Sequence, residues 1–343
     1  MKLFINDYQE GCLPEILQKM QANNYTANSG YGTDKICENA RNLIKNALKN
    51  DSVDVHFVAG GTLTNKIVIS SFLRPFEGVV CADTAHIATH ETGAIESGGH
   101  KVLTVKNTGG KILPSAVENL VKEHKNGLSR EHTVKPAMVY ISQSTEMGTV
   151  YTLAEMRALS EVCKKHGLLF YIDGARILYS LFSARCDFTL ADICSLCDVF
   201  YIGGTKVGAL LGEALVIVNP ALKKDFRYIL KQNGALMAKG FVMGVQFEGL
   251  FENDNYAKYC KRAVEKADRI RSALMRKGVE FESDASDTQT FAIFNEEQYK
   301  TLEKSFDFGG AVYKEGKAYA RICTSWATPE DSVNLLLTAI ENL

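Results

Sequence analysis

The sequence predicts an α/β fold, in which a large, mostly parallel sheet lies between helices and is followed by a smaller C-terminal α+β unit. Three observations predict it. Short apolar runs alternate with helical periodicity up to about residue 250. The runs are nearly continuous in apolar residues, as strands buried on both faces are. Beyond residue 250 the pattern changes to a long charged amphipathic helix, short strands and a final helix. A chain of 343 residues, 46% hydrophobic and 23% charged, is long enough for one large domain and a smaller one.

In chain order, residues 1–22 read as an N-terminal arm and helix, 23–250 as the large domain and 251–343 as the small one. Within the large domain DVHFVAG (54–60), GVVCAD (78–83), HKVLTVK (100–106), AMVYISQS (137–144), LLFYID (168–173), DVFYIGG (198–204) and EALVIVN (213–219) read as strands. Between them lie stretches such as TLAEMRALSEVCKKHG (152–167), whose Leu153, Met156, Leu159, Val162 and Cys163 share one helical face. The segment NYAKYCKRAVEKADRIRSALMRKG opens the small domain as a long helix.

A formal net charge of -1 gives no reason to expect a nucleic-acid partner. No basic start with an apolar core opens the chain, and no apolar run approaches the ~18 residues of a membrane span. Nine cysteines in core-like contexts fit free thiols in a reducing compartment, so the expected location is the cytoplasm.

In open α/β sheets ligands gather at the C-terminal ends of the strands. After DVHFVAG come Gly60, Gly61 and Thr62, opening a helix: either a phosphate cradle or a tight turn with a threonine N-cap. The stretch matches neither G-x-x-x-x-G-K-[ST] nor G-x-G-x-x-G. LLFYID ends in Asp173, an N-cap or a carboxylate awaiting a cation, and Arg176 follows, forked onto a carboxylate or solvated. DVFYIGG runs into Lys206, whose apolar, glycine-rich setting would lower its pKa and make it a nucleophile toward carbonyls. The glycines beside it are expected to leave room for a bound ring. Together a phosphate cradle, a strand-end acid and a lysine are what pyridoxal 5'-phosphate needs: an anchor, a partner for its ring nitrogen and an amine for the Schiff base.

On these residues, with Asn6-Asp7, GYGTD (30–34), DTAHIATHETGAIESGG (83–99), IDGAR, GGTK and ARICTSW (320–326), the chain resembles the threonine aldolases of the β-eliminating lyase group over nearly its whole length. The resemblance implies the aspartate-aminotransferase-like fold, known as fold type I of the PLP enzymes. It implies Lys206 as the Schiff-base lysine, Asp173 at the ring nitrogen, and Gly60, Gly61 and Thr62 at the phosphate. It places His86 on the ring face, and Arg176 and Arg321 at the substrate carboxylate with Asn6 where the family usually has serine. Tyr31 would reach a neighbouring subunit's site in a homodimer or homotetramer. Glu146 stands where the family has a histidine near the β-oxygen, and the spacing in VGALLG is one residue shorter, which suggests a subgroup with its own aldehyde preference.

The implied reaction is retro-aldol cleavage of L-threonine, L-allo-threonine or related β-hydroxy-α-amino acids to glycine and an aldehyde. Two other readings remain at this point. One keeps the cofactor but makes the enzyme a β-eliminating lyase, aminotransferase or racemase. The other uses His86 and His90, four residues apart, as metal ligands of a hydrolase or aldolase, although no third ligand is evident and His90 alone suits packing or surface. Cys194 and Cys197 have a redox or half-zinc spacing but sit in what reads as a short helix, which suggests a structural role.

Overall fold

A computed structural model describes residues 1–343. In chain order β1 (Lys2–Leu3) is followed by β2 (Asp54–Val58), β3 (Glu77–Ala82), β4 (Val102–Val105), β5 (Lys135–Ser142), β6 (Leu169–Asp173), β7 (Val199–Gly203) and β8 (Glu213–Ile217). Then come β9 (Glu280–Phe281), β10 (Gln289–Asn295), β11 (Phe306–Asp307), β12 (Ala311–Lys314) and β13 (Lys317–Cys323). The large sheet has the order β2-β8-β7-β6-β5-β3-β4. Strands β7, β6, β5, β3 and β4 run parallel, whereas β8 is antiparallel to both of its neighbours. Every residue of β3, β7 and β8 is buried, which is why these runs show no polar alternation.

The helices that cover the sheet are fixed by local chemistry. Thr152 and Glu155 form a reciprocal capping box at the start of Leu153–His166, and Gly167 ends the helix in the left-handed region at φ 70°. Met156, Leu159 and Cys163 of the expected face are buried. Asp34 caps Lys35–Leu48 by accepting the Cys37 amide hydrogen at 2.8 Å.

The smaller sheet, β12-β13-β10-β9, is antiparallel throughout. Helix Asn255–Arg276 packs into two cores: Cys260, Ala263 and Val264 belong to the first, Ile270, Ala273 and Leu274 to the second. The N-terminal arm joins the second core as well. Strand β1 pairs in parallel with β11, and Phe4 packs on Phe306 and Phe308. That return of the first residues to the last strands has no signature in the local pattern. No helix is long and apolar enough to cross a membrane.

Candidate active site

Gly60, Gly61, Thr62, His86, Glu146, Asp173, Arg176 and Lys206 line one cleft, of about 800 Å³ counted out to open solvent. It lies at the C-terminal edge of the parallel strands, where the sheet's crossovers leave a crevice. Because β8 runs the other way, its first residue, Glu213, arrives at the same edge and joins the lining.

Asp173, buried at the end of β6, accepts four hydrogen bonds: from Asn65 Nδ2 at 3.1 Å, Tyr140 Oη at 2.6 Å, the Ala175 amide at 3.0 Å, and Tyr201 Oη. Asp173 is not a helix N-cap, since the next helix, Ile177–Ser180, begins after Arg176. Nor does Thr62 cap its helix; Gly60 holds the N-cap position of Gly61–Phe72. A Cβ added at Gly60 would meet nothing within 4 Å, so that glycine faces open cleft, while one at Gly61 would lie 3.1 Å from Tyr201 Oη. A helix N-terminus with free amide hydrogens and no side chain in front of it suits a phosphate.

Lys206 follows β7 in a loop closed by hydrogen bonds from Gly204 and Thr205 to the Gly212 carbonyl. Burial lowers its pKa; Arg176 adds to that, and Asp7, Asp173 and Glu213 oppose it. The glycines before it do not make room for a ring. A Cβ at Gly203 would meet the Ala175 carbonyl oxygen at 2.4 Å and one at Gly204 the Gly212 oxygen at 2.7 Å, so both serve backbone packing.

Glu213 accepts from the Gly204 amide at 3.1 Å and Thr205 Oγ at 2.9 Å, and burial pushes its carboxyl up to about 8. Between the ordinary 4.5 and that raised value the folded chain keeps a proton that the unfolded chain has released, so wild-type stability falls as pH rises through this window. Glu213→Gln is expected to flatten that slope. Urea midpoints measured across the window check it, and an unchanged slope would show that Glu213 is ionised in the fold.

Arg176 forks onto a protein carboxylate, with Nε and Nη2 at 2.7 and 2.9 Å from Asp7, whose side chain is fully buried. Burial acts against the Asp7 charge, but Arg176 and Lys206 outweigh it and hold the carboxyl below its usual range. Arg176 Nη1 is left without a bond inside the chain. Asn6 precedes this pair in sequence, and Arg321 Nη2 donates to the Ile5 carbonyl at 3.1 Å. Neither Asn6 nor Arg321 lines the cleft itself. Tyr31 is also outside it, 44% exposed, with the Lys231 ammonium 4.3 Å from its ring centre.

His86 is oriented by Glu91, whose Oε1 accepts from His86 Nδ1 at 2.7 Å and from Asn65 Nδ2 at 2.7 Å. Burial works to lower the imidazole pKa, but the Glu91 bond and the Asp173 and Glu91 charges raise it overall. His90 is exposed, and no group of three or more His, Cys, Asp or Glu side chains is placed to hold a metal ion. Glu146 Oε1 accepts from Ser142 Oγ at 2.6 Å and from the His86 amide at 2.9 Å, and burial raises its pKa. Cys194 and Cys197 are buried free thiols at the end of helix Leu190–Leu196.

Asn65, Tyr140, Ser142, Tyr201, Asp7 and Glu213 escape a reading of the sequence, and Glu91 shows in it only as the neighbour of the His86 and His90 pair. Asn65 and Asp7 sit inside two of the motif stretches, GGTLTN and Asn6-Asp7. The tyrosines read as apolar strand residues, because nothing in a buried run marks which hydroxyl will face a carboxylate.

Residues 6–297 match the family model described as beta-eliminating lyase. The chain is 32% identical over 346 residues to a low specificity L-threonine aldolase of a Pseudomonas species, covering 98% of this chain and 96% of that one. The solved structure of Leishmania major threonine aldolase superposes with a TM-score of 0.96 at 41% identity, over 100% of this chain and 99% of that one. Thermus thermophilus aspartate aminotransferase shares the fold, with a TM-score of 0.72 at 12% identity over 99% of this chain and 91% of that one. With a match along essentially its full length, the chain belongs to the β-eliminating lyase family and, within it, to the threonine aldolases.

Proposed function

We propose that the protein is a pyridoxal 5'-phosphate-dependent aldolase cleaving L-threonine, L-allo-threonine and related β-hydroxy-α-amino acids to glycine and an aldehyde. The observation that carries this reading is the convergence of Lys206, Asp173 and the open helix start at Gly60 on one cleft. When bound, the cofactor supplies a carbonyl carbon for an amine and a ring that accepts the electron pair of the breaking bond.

The chain's own residues do the rest. The amide hydrogens of Gly61 and Thr62, with Gly60 keeping the space clear, hold the phosphate. Asp173, fixed by four donors, keeps a proton at the ring nitrogen. His86, tied down by Glu91, packs on the ring face. Lys206, its pKa lowered by burial, is the nucleophile. Arg176, through the edge that Asp7 leaves free, binds the substrate carboxylate, turning the Cα–Cβ bond into the cleaving orientation, while Arg321 and Asn6, outside the cleft lining, serve that subsite from the Ile5–Asp7 segment behind it. Glu146 stands beside the β-hydroxyl and exchanges a proton with it. Purified protein releasing acetaldehyde from L-threonine or L-allo-threonine is the expected result; a loaded enzyme that only transaminates or racemises these substrates would sink the assignment.

Gly60→Ala tests the cradle separately. The added methyl meets no protein atom, so the unfolding midpoint without cofactor is expected to hold within about 0.5 kcal/mol. Cofactor affinity is expected to fall roughly tenfold or more, ~1.4 kcal/mol. Unchanged affinity would place the phosphate elsewhere.

We take residues 23–250 as the cofactor-binding domain, 251–343 as the small domain that carries Arg321, and 1–22 as the arm joining them, and we assign the enzyme to the cytoplasm. We also propose a homodimer, or a homotetramer built from it, with Tyr31 reaching the neighbouring subunit's cleft. Support comes from its exposed ring beside Lys231, in a depression shared with Arg41 and Arg227 and separate from its own chain's cleft. Light scattering is expected to give a multiple of the 37.8 kDa chain mass; a monomer at assay concentration with full activity would refute it.

A further inference from the structure

Two carboxyls of the cleft, Asp173 and Glu146, are connected by a chain of hydroxyls. Ser142 stands opposite Asp173 in the β5–β6 register, and Tyr140, two residues earlier, points to the same face. Tyr140 Oη donates to Asp173 Oδ2 at 2.6 Å, Ser142 Oγ donates to Glu146 Oε1 at 2.6 Å, and the two hydroxyl oxygens are 3.3 Å apart. The chain has three links, but its hydroxyls carry only two hydrogens. With both carboxyls ionised, both hydrogens point outward and the middle link is oxygen against oxygen, the longest of the three. One added proton, on either carboxyl, supplies the missing hydrogen and lets all three links be hydrogen bonds.

We propose that Glu146 and Asp173 share one proton through this chain, with Ser142 and Tyr140 as positioning residues that connect them. Passing it from Glu146 to Asp173 breaks three O–H bonds and forms three: Glu146 gives to Ser142, Ser142 to Tyr140 and Tyr140 to Asp173, with no proton gained or lost. The resting proton belongs on Glu146, because the Asp173 oxygens already accept from three further donors, Asn65, Ala175 and Tyr201. Burial raises the Glu146 pKa, and the Asp173 charge adds to that. The other titratable groups facing Glu146 are His86, which reaches it through its backbone amide, and Cys81, Tyr140 and Tyr151, all pushed up by burial and neutral. Resting on the function proposed above, this means that the carboxylate beside the ring nitrogen sets the protonation of the residue beside the β-oxygen.

The test follows the infrared band of the neutral carboxyl and the visible band of the cofactor in the holoenzyme across pH, with Glu146→Gln identifying the Glu146 band. The expected result is a Glu146 midpoint above the ordinary carboxyl range and a step in the visible band at the same pH. Ser142→Ala and Tyr140→Phe, each lacking one hydroxyl, are expected to uncouple the two, so that the visible step no longer follows Glu146. A Glu146 midpoint in the ordinary range, or a visible step that tracks Glu146 equally well in both variants, would overturn the shared proton. A protein that cannot be loaded with pyridoxal phosphate would defeat the functional reading alone, and the infrared titration of Glu146 in wild type and the two variants would still decide this one.

Discussion

Replacing Lys206 with alanine is expected to remove threonine cleavage altogether, with a loss on the order of 10⁵ or more, the scale on which deleting a covalent nucleophile acts. The fold should tolerate the change. Lys206 sits beside Asp7, Asp173, Glu213 and Arg176 in a setting where burial opposes its charge, and exchanging a desolvated amine for a methyl group relieves that cost. Three measurements belong together: acetaldehyde release, the visible band of the bound cofactor, and the unfolding midpoint. The expected pattern is no turnover, a cofactor that binds without the band typical of its lysine adduct, and a midpoint equal to or above wild type. Steady-state cleavage retained in Lys206→Ala would defeat the assignment of the nucleophile whatever else the variant did.

Asp173→Ala is expected to damage both catalysis and stability, and this distinguishes it from Lys206→Ala. Alanine leaves two buried tyrosine hydroxyls and the Ala175 N–H without their shared acceptor, while the Asn65 amide keeps only its bond to Glu91. An orphaned buried polar group costs about 1–3 kcal/mol. These losses are not additive, so a loss on the order of 4 kcal/mol is expected, large against a typical 5–15 kcal/mol of total stability. Asp173→Asn keeps the shape and one acceptor oxygen, so it should recover part of that stability while activity stays down by roughly 10²- to 10⁴-fold. Urea unfolding of the cofactor-free protein separates the two effects. A midpoint for Asp173→Ala within error of wild type would mean that the tyrosines find other partners and that Asp173 does not hold the site together.

The legibility of the fold follows from what produces each element. The buried strands announce themselves as apolar runs because both faces of β3, β7 and β8 are covered. The helix Leu153–His166 is marked by its capping box and its closing glycine. What local pattern does not carry is the direction of β8 or the pairing of β1 with β11, since a two-residue strand has no periodicity and an apolar run has no arrow. The glycines beside Lys206 show the same limit. Their presence is evident in the sequence, but whether a glycine clears space for a ligand or for another backbone depends on what lies opposite, and at Gly203 and Gly204 that is the Ala175 and Gly212 carbonyls.

By itself the sequence determined the α/β class, the strand-end positions of Asp173 and Lys206 and the helix opening at Gly60, because each follows from residues adjacent in the chain. Only the tertiary structure decided that Arg176 is paired with Asp7, that Glu213 enters the cleft from an antiparallel strand, and that Tyr140, Tyr201 and Asn65 converge on one carboxylate. Those partners lie far apart in sequence, and a buried hydroxyl or carboxylate acquires its chemistry from whichever group the packed sheet sets against it.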